Sequence, residues 1–250
     1  MQITDLNILY AQHPELGRLQ RELAEGKSSH LLVSGLHASA CAIVLSAVRL
    51  PLFIVMDNGD EVLSFGKDMQ VLSGGSRQIC IFPAAQKRRV MDEAAAIQRT
   101  ETLTALTQEV SDIVVVTYPG AIAEPTPSPE TLRHRRITLH SGQEVQLSEL
   151  GNQLSELGFE RVDFVYEPGQ FAIRGGILDI YSYSHDIPYR LDFFGDEIES
   201  IREFDIEDQL SKTKVQEAEI VMSARRDDTS EDNILSFLPQ NTIWVVKGER

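Results

Sequence analysis

The sequence predicts an α/β chain: a parallel-sheet domain interrupted by an inserted small α+β domain with an antiparallel sheet. Three observations predict it. Short, continuously apolar runs alternate with helical patterns through the first half, as strands buried on both faces of a parallel sheet do. Pro125, Pro127 and Pro129 then fall within five residues, a density that neither a helix interior nor a central strand tolerates, so a linker stands there. Beyond it the apolar period drops to two, and a continuous apolar run returns only near Trp244. The boundaries expected are 1–123 for the first part of the α/β domain, 124–210 for the insert and 211–250 for the return.

Each element follows from its pattern. Residues 15–24 carry Leu16, Leu19 and Leu23 on one helical stripe. Residues 31–34 read as a short apolar strand, and 38–50 as a helix of small residues suited to packing on a sheet. Residues 53–56 and 79–82 are further strands, the first closed by Asn58-Gly59. A long helix is expected over 87–110, with no hairpin signal, and a strand over 113–117 ending at Pro119-Gly120. In the insert one helix falls near 147–157 among short alternating strands. After Leu210, residues 218–222, a helix over 230–237 and a strand over 242–246 read as a return to the α/β pattern. Since the chain stops soon after that strand, it reads as part of something longer.

The 250 residues carry 42% hydrophobic side chains and a formal charge of −15. That allows a proper core and argues against nucleic-acid binding, since phosphate contacts need clustered Lys and Arg. It favours protein partners with basic patches. There is no apolar run of membrane-spanning length and no leader pattern, so a cytoplasmic protein without membrane contact is expected. Cys41 and Cys80 lack metal-ligand spacing, apart from His37 near Cys41, and read as reduced thiols. The six histidines are scattered, and neither a metal site nor a catalytic nucleophile is expected.

A strand–glycine–helix unit at residues 31–50 is where an ATPase carries its phosphate loop. That loop needs two glycines, a lysine for the β/γ charge and a hydroxyl for Mg²⁺. Here Gly35 survives, but the second glycine is Ala40, the lysine is Cys41 and the hydroxyl is Ala42. The loop is degenerate and is not expected to hold ATP. Gly26-Lys27-Ser28 imitates the motif, but Arg21 stands where the first glycine belongs and a helix, not a strand, precedes it.

The most informative stretch is Phe171 to Ile180, reading FAIRGGILDI, followed by Tyr189 to Arg202, reading YRLDFFGDEIESIR. Phe171 and Ile173 point one way and Ala172 and Arg174 the other. Tyr189, Leu191 and Phe193 alternate likewise with Arg190 and Asp192. Pro168-Gly169, Gly175-Gly176 and Gly195-Asp196 supply turns. This is a small antiparallel sheet with an apolar inner face and a charged outer one. These words resemble the second domain of the nucleotide-excision-repair protein UvrB. They resemble more closely the N-terminal module of the transcription-repair coupling factor (Mfd) family. The likeness is dense over 154–210 and thins to pattern elsewhere.

The resemblance implies a degenerate P-loop (RecA-like) first domain and a second domain that docks UvrA, the damage-recognition ATPase. UvrB keeps an intact ATP loop and a tyrosine-rich hairpin that inserts into DNA. The lost loop, and a stretch from 82 to 113 without tyrosine, match the coupling factors instead. In that family the docking face is held covered by a distant C-terminal domain, and the RNA-polymerase-binding and ATP-driven motor domains lie downstream; no cofactor is expected within these residues. Carried over by motif, Arg161 matches the basic residue that opens the docking sheet. Arg174 matches the arginine before the glycine turn, and Asp192 the acidic position of the later strand. Arg190 and Phe171 flank the match. UvrB has another arginine where Ala172 stands, so the interface is not copied whole.

Other accounts compete. Between Leu157 and Asp208, thirteen Asp and Glu surround four arginines, and a solvated salt-bridge lattice worth ~0–1 kcal/mol per pair explains them without a partner. The cluster Arg133-His134-Arg135-Arg136 reads as a solvated edge, with DNA contact as the sharper alternative. A UvrB-type ATP-dependent DNA-binding module, or a domain with no partner outside its own chain, are the rival functions.

Overall fold

The computed structural model describes residues 10, 12–24, 31–36, 39–87, 90–91, 93–108, 112–134, 136–185, 187–224 and 230–248. They fall into two compact units. One comprises Met1–Ala84, Ala105–Glu124 and Asn233–Arg250, the other Ala85–Thr104 and Pro125–Asp232. In chain order the strands are β1 (Leu52–Val55), β2 (Gln78–Ile81), β3 (Gln86–Lys87), β4 (Val90–Met91), β5 (Ile113–Thr117), β6 (Arg136–His140) and β7 (Glu160–Arg161). There follow β8 (Gln170–Arg174), β9 (Ile177–Ile180), β10 (Tyr189–Phe194), β11 (Glu197–Phe204), β12 (Ser211–Val215), β13 (Glu217–Val221) and β14 (Ile243–Val246).

The first unit holds a four-stranded parallel sheet in the order β14-β1-β5-β2. The runs LFIV and IVVVT are buried at every position, as continuous apolar strands covered on both faces must be. On one face Leu52, Ile54, Val114 and Val116 pack with Val62, Phe65 and Met69 of the helix Gly59–Ser73 and with Ala42 and Leu45 of the helix Ala40–Ser46. Asn58 starts the longer helix by accepting the backbone N–H groups of Asp60 and Glu61 at 3.1 Å. Where the sequence shows only a turn at Asn58-Gly59, the structure has this whole helix. Gly66 hid it, because a glycine inside a helical run weakens the pattern. A Cβ there would lie 3.0 Å from Ile81 Cδ1, a tight approach to which the Ile81 side chain would have to yield.

A buried arginine ties this unit together. The Arg77 guanidinium donates to the carbonyls of Val48 at 2.6 Å and Leu50 at 2.8 Å, just past the helix Ala40–Ser46. Its Nε pairs with Asp112 at 2.5 Å. Burial lowers its pKa, with Asp112 opposing.

Two expectations are corrected. Residues 31–36 are not a strand, and Leu31, Leu32 and Val33 stand exposed. The long helix over 87–110 is instead the short hairpin β3–β4 followed by the helix Glu93–Thr107. The helix Pro14–Ala24 lies where periodicity put it, and β14 pairs parallel with β1. Among the described residues no helix is long and apolar enough to cross a membrane.

The second unit carries a six-stranded sheet in the order β12-β11-β10-β9-β8-β7, antiparallel except at β7–β8. A second, two-stranded sheet pairs β6 with β13. The helix Leu147–Glu156 sets Leu150 and Leu154 against Phe171, Leu178, Ile180, Leu191, Ile198 and Ile201. Leu139, Ala218 and Ile220 of the small sheet complete this core. Residues 218–222 therefore do not resume an α/β pattern. Ala218 and Ile220 alternate with glutamates, which is how a half-buried antiparallel strand reads. The helix expected over 230–237 is a single 3₁₀ turn, Ile234–Phe237, capped by Asn233. Gly169, in the turn before β8, has φ of +87°, and a Cβ there would sit 2.2 Å from Tyr183 Oη; only glycine fits.

Candidate functional site

The two faces of the six-stranded sheet separate the residues singled out in the sequence. Phe171, Leu178, Ile180, Tyr189 and Leu191 fill the inner face. Pairing across the strands builds a row on the outer face: Ala172 beside Asp179, Asp179 beside Arg190, Arg190 beside Arg202, and Arg202 beside Lys214. Arg190 opposite Arg202 would repel, as like charges in register do. Asp179, paired with Arg190, and Asp192, paired with Arg202, offset it.

Asp179 is the hub. Its side chain is wholly buried, a costly place for a carboxylate unless every lone pair is used. Arg190 grips it with two bonds, Nε at 2.7 Å and Nη2 at 2.9 Å. Arg174 Nη2 donates to the same carboxylate. Each arginine has further anchors. Arg174 Nη1 donates to the Asp163 carbonyl at 2.6 Å, and its guanidinium lies 4.6 Å from the centre of the Phe164 ring. Arg190 Nη1 donates to the Gln209 carbonyl at 2.9 Å, over the Phe204 ring at 4.5 Å. The hydrogen bond to Asp179, ahead of burial, raises the pKa of Arg190 above that of an ordinary guanidinium.

The two arginines differ in access. The Arg174 side chain is 33% exposed and that of Arg190 14%. Arg161 is exposed, and with Val162, Asp163, Phe164, Ile173 and Arg174 it lines an open groove beside β8. Phe164 is 48% exposed in it. Asp192 accepts from Ser200 Oγ at 2.7 Å and faces Arg202 Nη1 at 3.3 Å. Phe171 is corrected: it is fully buried on the inner face, where no partner reaches it. Asp179 and Phe164 are the residues missed. The signal for Asp179 was a lone carboxylate between Leu178 and Ile180, in a strand whose other residues are all apolar.

In the loop read from the sequence as a degenerate phosphate loop, Gly35 has φ of +85° and is exposed. Ala40, Cys41 and Ala42 form the first turn of the helix Ala40–Ser46. Ala42 is buried, and burial raises the Cys41 thiol pKa. Ser39 Oγ donates to Asp68 Oδ2 at 2.6 Å. His37 and Ala38 of the loop, and the imitation motif at residues 26–28, lie outside the described residues. Of the basic cluster, Arg133 and His134 end the helix Pro129–His134 and Arg136 pairs with Glu219 at 2.9 Å; Arg135 lies outside the described residues.

Residues 137–225 match the model of the UvrB interaction domain, a span that begins within β6, runs through β13 and so takes in the whole outer face. Over 197 residues, 76% of this chain, the sequence is 31% identical to the transcription-repair-coupling factor of Bacillus subtilis strain 168, of which that covers 16%. It is 34% identical over 153 residues to that of Staphylococcus aureus strain USA300, covering 61% of this chain and 13% of the relative. With strain Mu50 it shares 35% identity over 127 residues, 51% of this chain and 11% of the relative. The chain thus spans less than a fifth of the length of these curated relatives.

Proposed function

We propose that this chain, whose residues 137–225 belong to the UvrB interaction domain family and which is kin to the transcription-repair-coupling factors, is a non-catalytic adaptor of nucleotide excision repair that recruits UvrA. The observation that carries the reading is the ordered Arg174 guanidinium, set with exposed Arg161 and Phe164 in one groove of an otherwise acidic unit. Arginines and aromatics of this kind dominate protein interfaces, because a rigid, partly desolvated fork pairs bidentately with a carboxylate. Arg190 stands behind this groove through its grip on Asp179, while Asp192 extends the charged face further along β10, with Ser200 and Arg202 as its partners. In this reading the first unit is a scaffold descended from a P-loop, RecA-like ATPase, and its loop no longer has the charge to hold a nucleotide. RNA polymerase, the ATP-driven motor and the covering domain belong to the whole protein and not to these residues, and the protein works in the cytoplasm.

Calorimetric titration of the chain with purified UvrA tests the reading. It predicts saturable one-to-one binding, and no saturable binding of Mg·ATP by the chain alone. Heat from ATP but not from UvrA would instead favour a UvrB-type ATP-dependent module.

A further inference from the structure

A surface arginine ordinarily samples many rotamers and loses that freedom when a partner fixes it. Arg174 does not start from that state. Its guanidinium is held from three sides: the Asp163 carbonyl, the Phe164 ring and the Asp179 carboxylate. Of these, only Asp179 supplies charge, and it does so from full burial. Its orientation is set by the two-bond grip of Arg190, itself fixed by the Gln209 carbonyl and the Phe204 ring.

We infer that Asp179 is the positioning residue of the docking face: it touches no partner, but holds Arg174 in one orientation with its remaining N–H groups left for an acceptor on the partner. Arg190 serves to neutralise and aim that carboxylate. The inference rests on the docking reading and deepens it. A guanidinium fixed in advance gives up less freedom on binding, so affinity gains through pre-organisation and not through a new contact. A salt bridge that only stabilised the sheet would change stability, and would leave partner binding untouched once folding is complete.

The experiment is a double-mutant cycle with UvrA, using wild type, Asp179→Asn, Arg174→Ala and the double variant. Asp179→Asn should weaken binding about fivefold or more with an unchanged circular dichroism spectrum, and should cost nothing further once Arg174 is alanine. Equal binding by Asp179→Asn and wild type, or the same loss in both backgrounds, would overturn it. Should Asp179→Asn not fold, Asp179→Asn with Arg190→Met removes carboxylate and guanidinium together and strands no buried charge. Side-chain NMR of the free chain reads the same point without a partner. Separate, slowly exchanging Arg174 Nη signals that merge in the variant uphold the inference, and signals already averaged in wild type sink it. If wild type does not bind UvrA, the docking reading fails and the NMR result still decides the role of Asp179.

Discussion

Arg174 and Arg190 occupy equivalent places in the sequence, each in a strand and each on the charged side of the alternation. Their environments part them. Arg190 is shut in and spends three of its nitrogens on Asp179 and Gln209, whereas Arg174 keeps a third of its side chain in solvent. Arg190→Leu should therefore cost about 3 kcal/mol of stability, because the buried Asp179 loses its principal partner; chemical denaturation measures this. Tyr189 gives a pH signature. Burial, with the charges of Glu203, Glu219 and Glu217, pushes its hydroxyl up to about 12. An unfolded tyrosine titrates near 10, so the folded state binds the proton more tightly. The stabilisation is complete below about pH 10 and is lost as pH rises towards about 12. Ultraviolet titration of the phenol should show one tyrosinate forming late, absent in Tyr189→Phe. Strand alternation made the outward face of Arg174, Arg190 and Asp192 legible. It did not disclose Asp179, because the same alternation marks a buried carboxylate and a solvated one alike, and only tertiary packing separates them.

At the scale of elements, the sequence was clearest where one force acts alone. The apolar runs of β1 and β5 and the two-residue period of β8 to β11 are set by burial, so they could be placed. It was least clear where two forces oppose. Gly66 breaks the helical pattern of Gly59–Ser73 yet packs closely against Ile81, and β12 and β13 look like separate polar and apolar scraps until hydrogen bonding with β11 and β6 explains them. Two substitutions test the joints. Gly169→Ala puts a side chain into the left-handed region and into Tyr183 Oη, and should cost more than about 2 kcal/mol. A denaturation midpoint unchanged from wild type would contradict it. Arg77→Leu leaves the Val48 and Leu50 carbonyls without their donor, and should destabilise the first unit by about 2–3 kcal/mol. UvrA affinity at a temperature where the variant is folded should not change.

Across the whole molecule, a formal charge of −15 and Cys41 where a phosphate loop carries its lysine are what the proposed adaptor role rests on in setting phosphate ligands aside. Among the described residues, the groove beside β8 brings Arg161, Arg174 and the Phe164 ring to solvent. General electrostatics alone, however, could draw an acidic protein to a basic one, so the central claim needs a test that separates site from charge. That test is the UvrA affinity of Arg174→Glu against Lys67→Glu, an exposed position on the helix Gly59–Ser73. Both reversals change net charge equally. The account predicts that Arg174→Glu weakens binding by about tenfold or more while Lys67→Glu binds as wild type. Equal affinities for the two variants would contradict it and move the interface elsewhere.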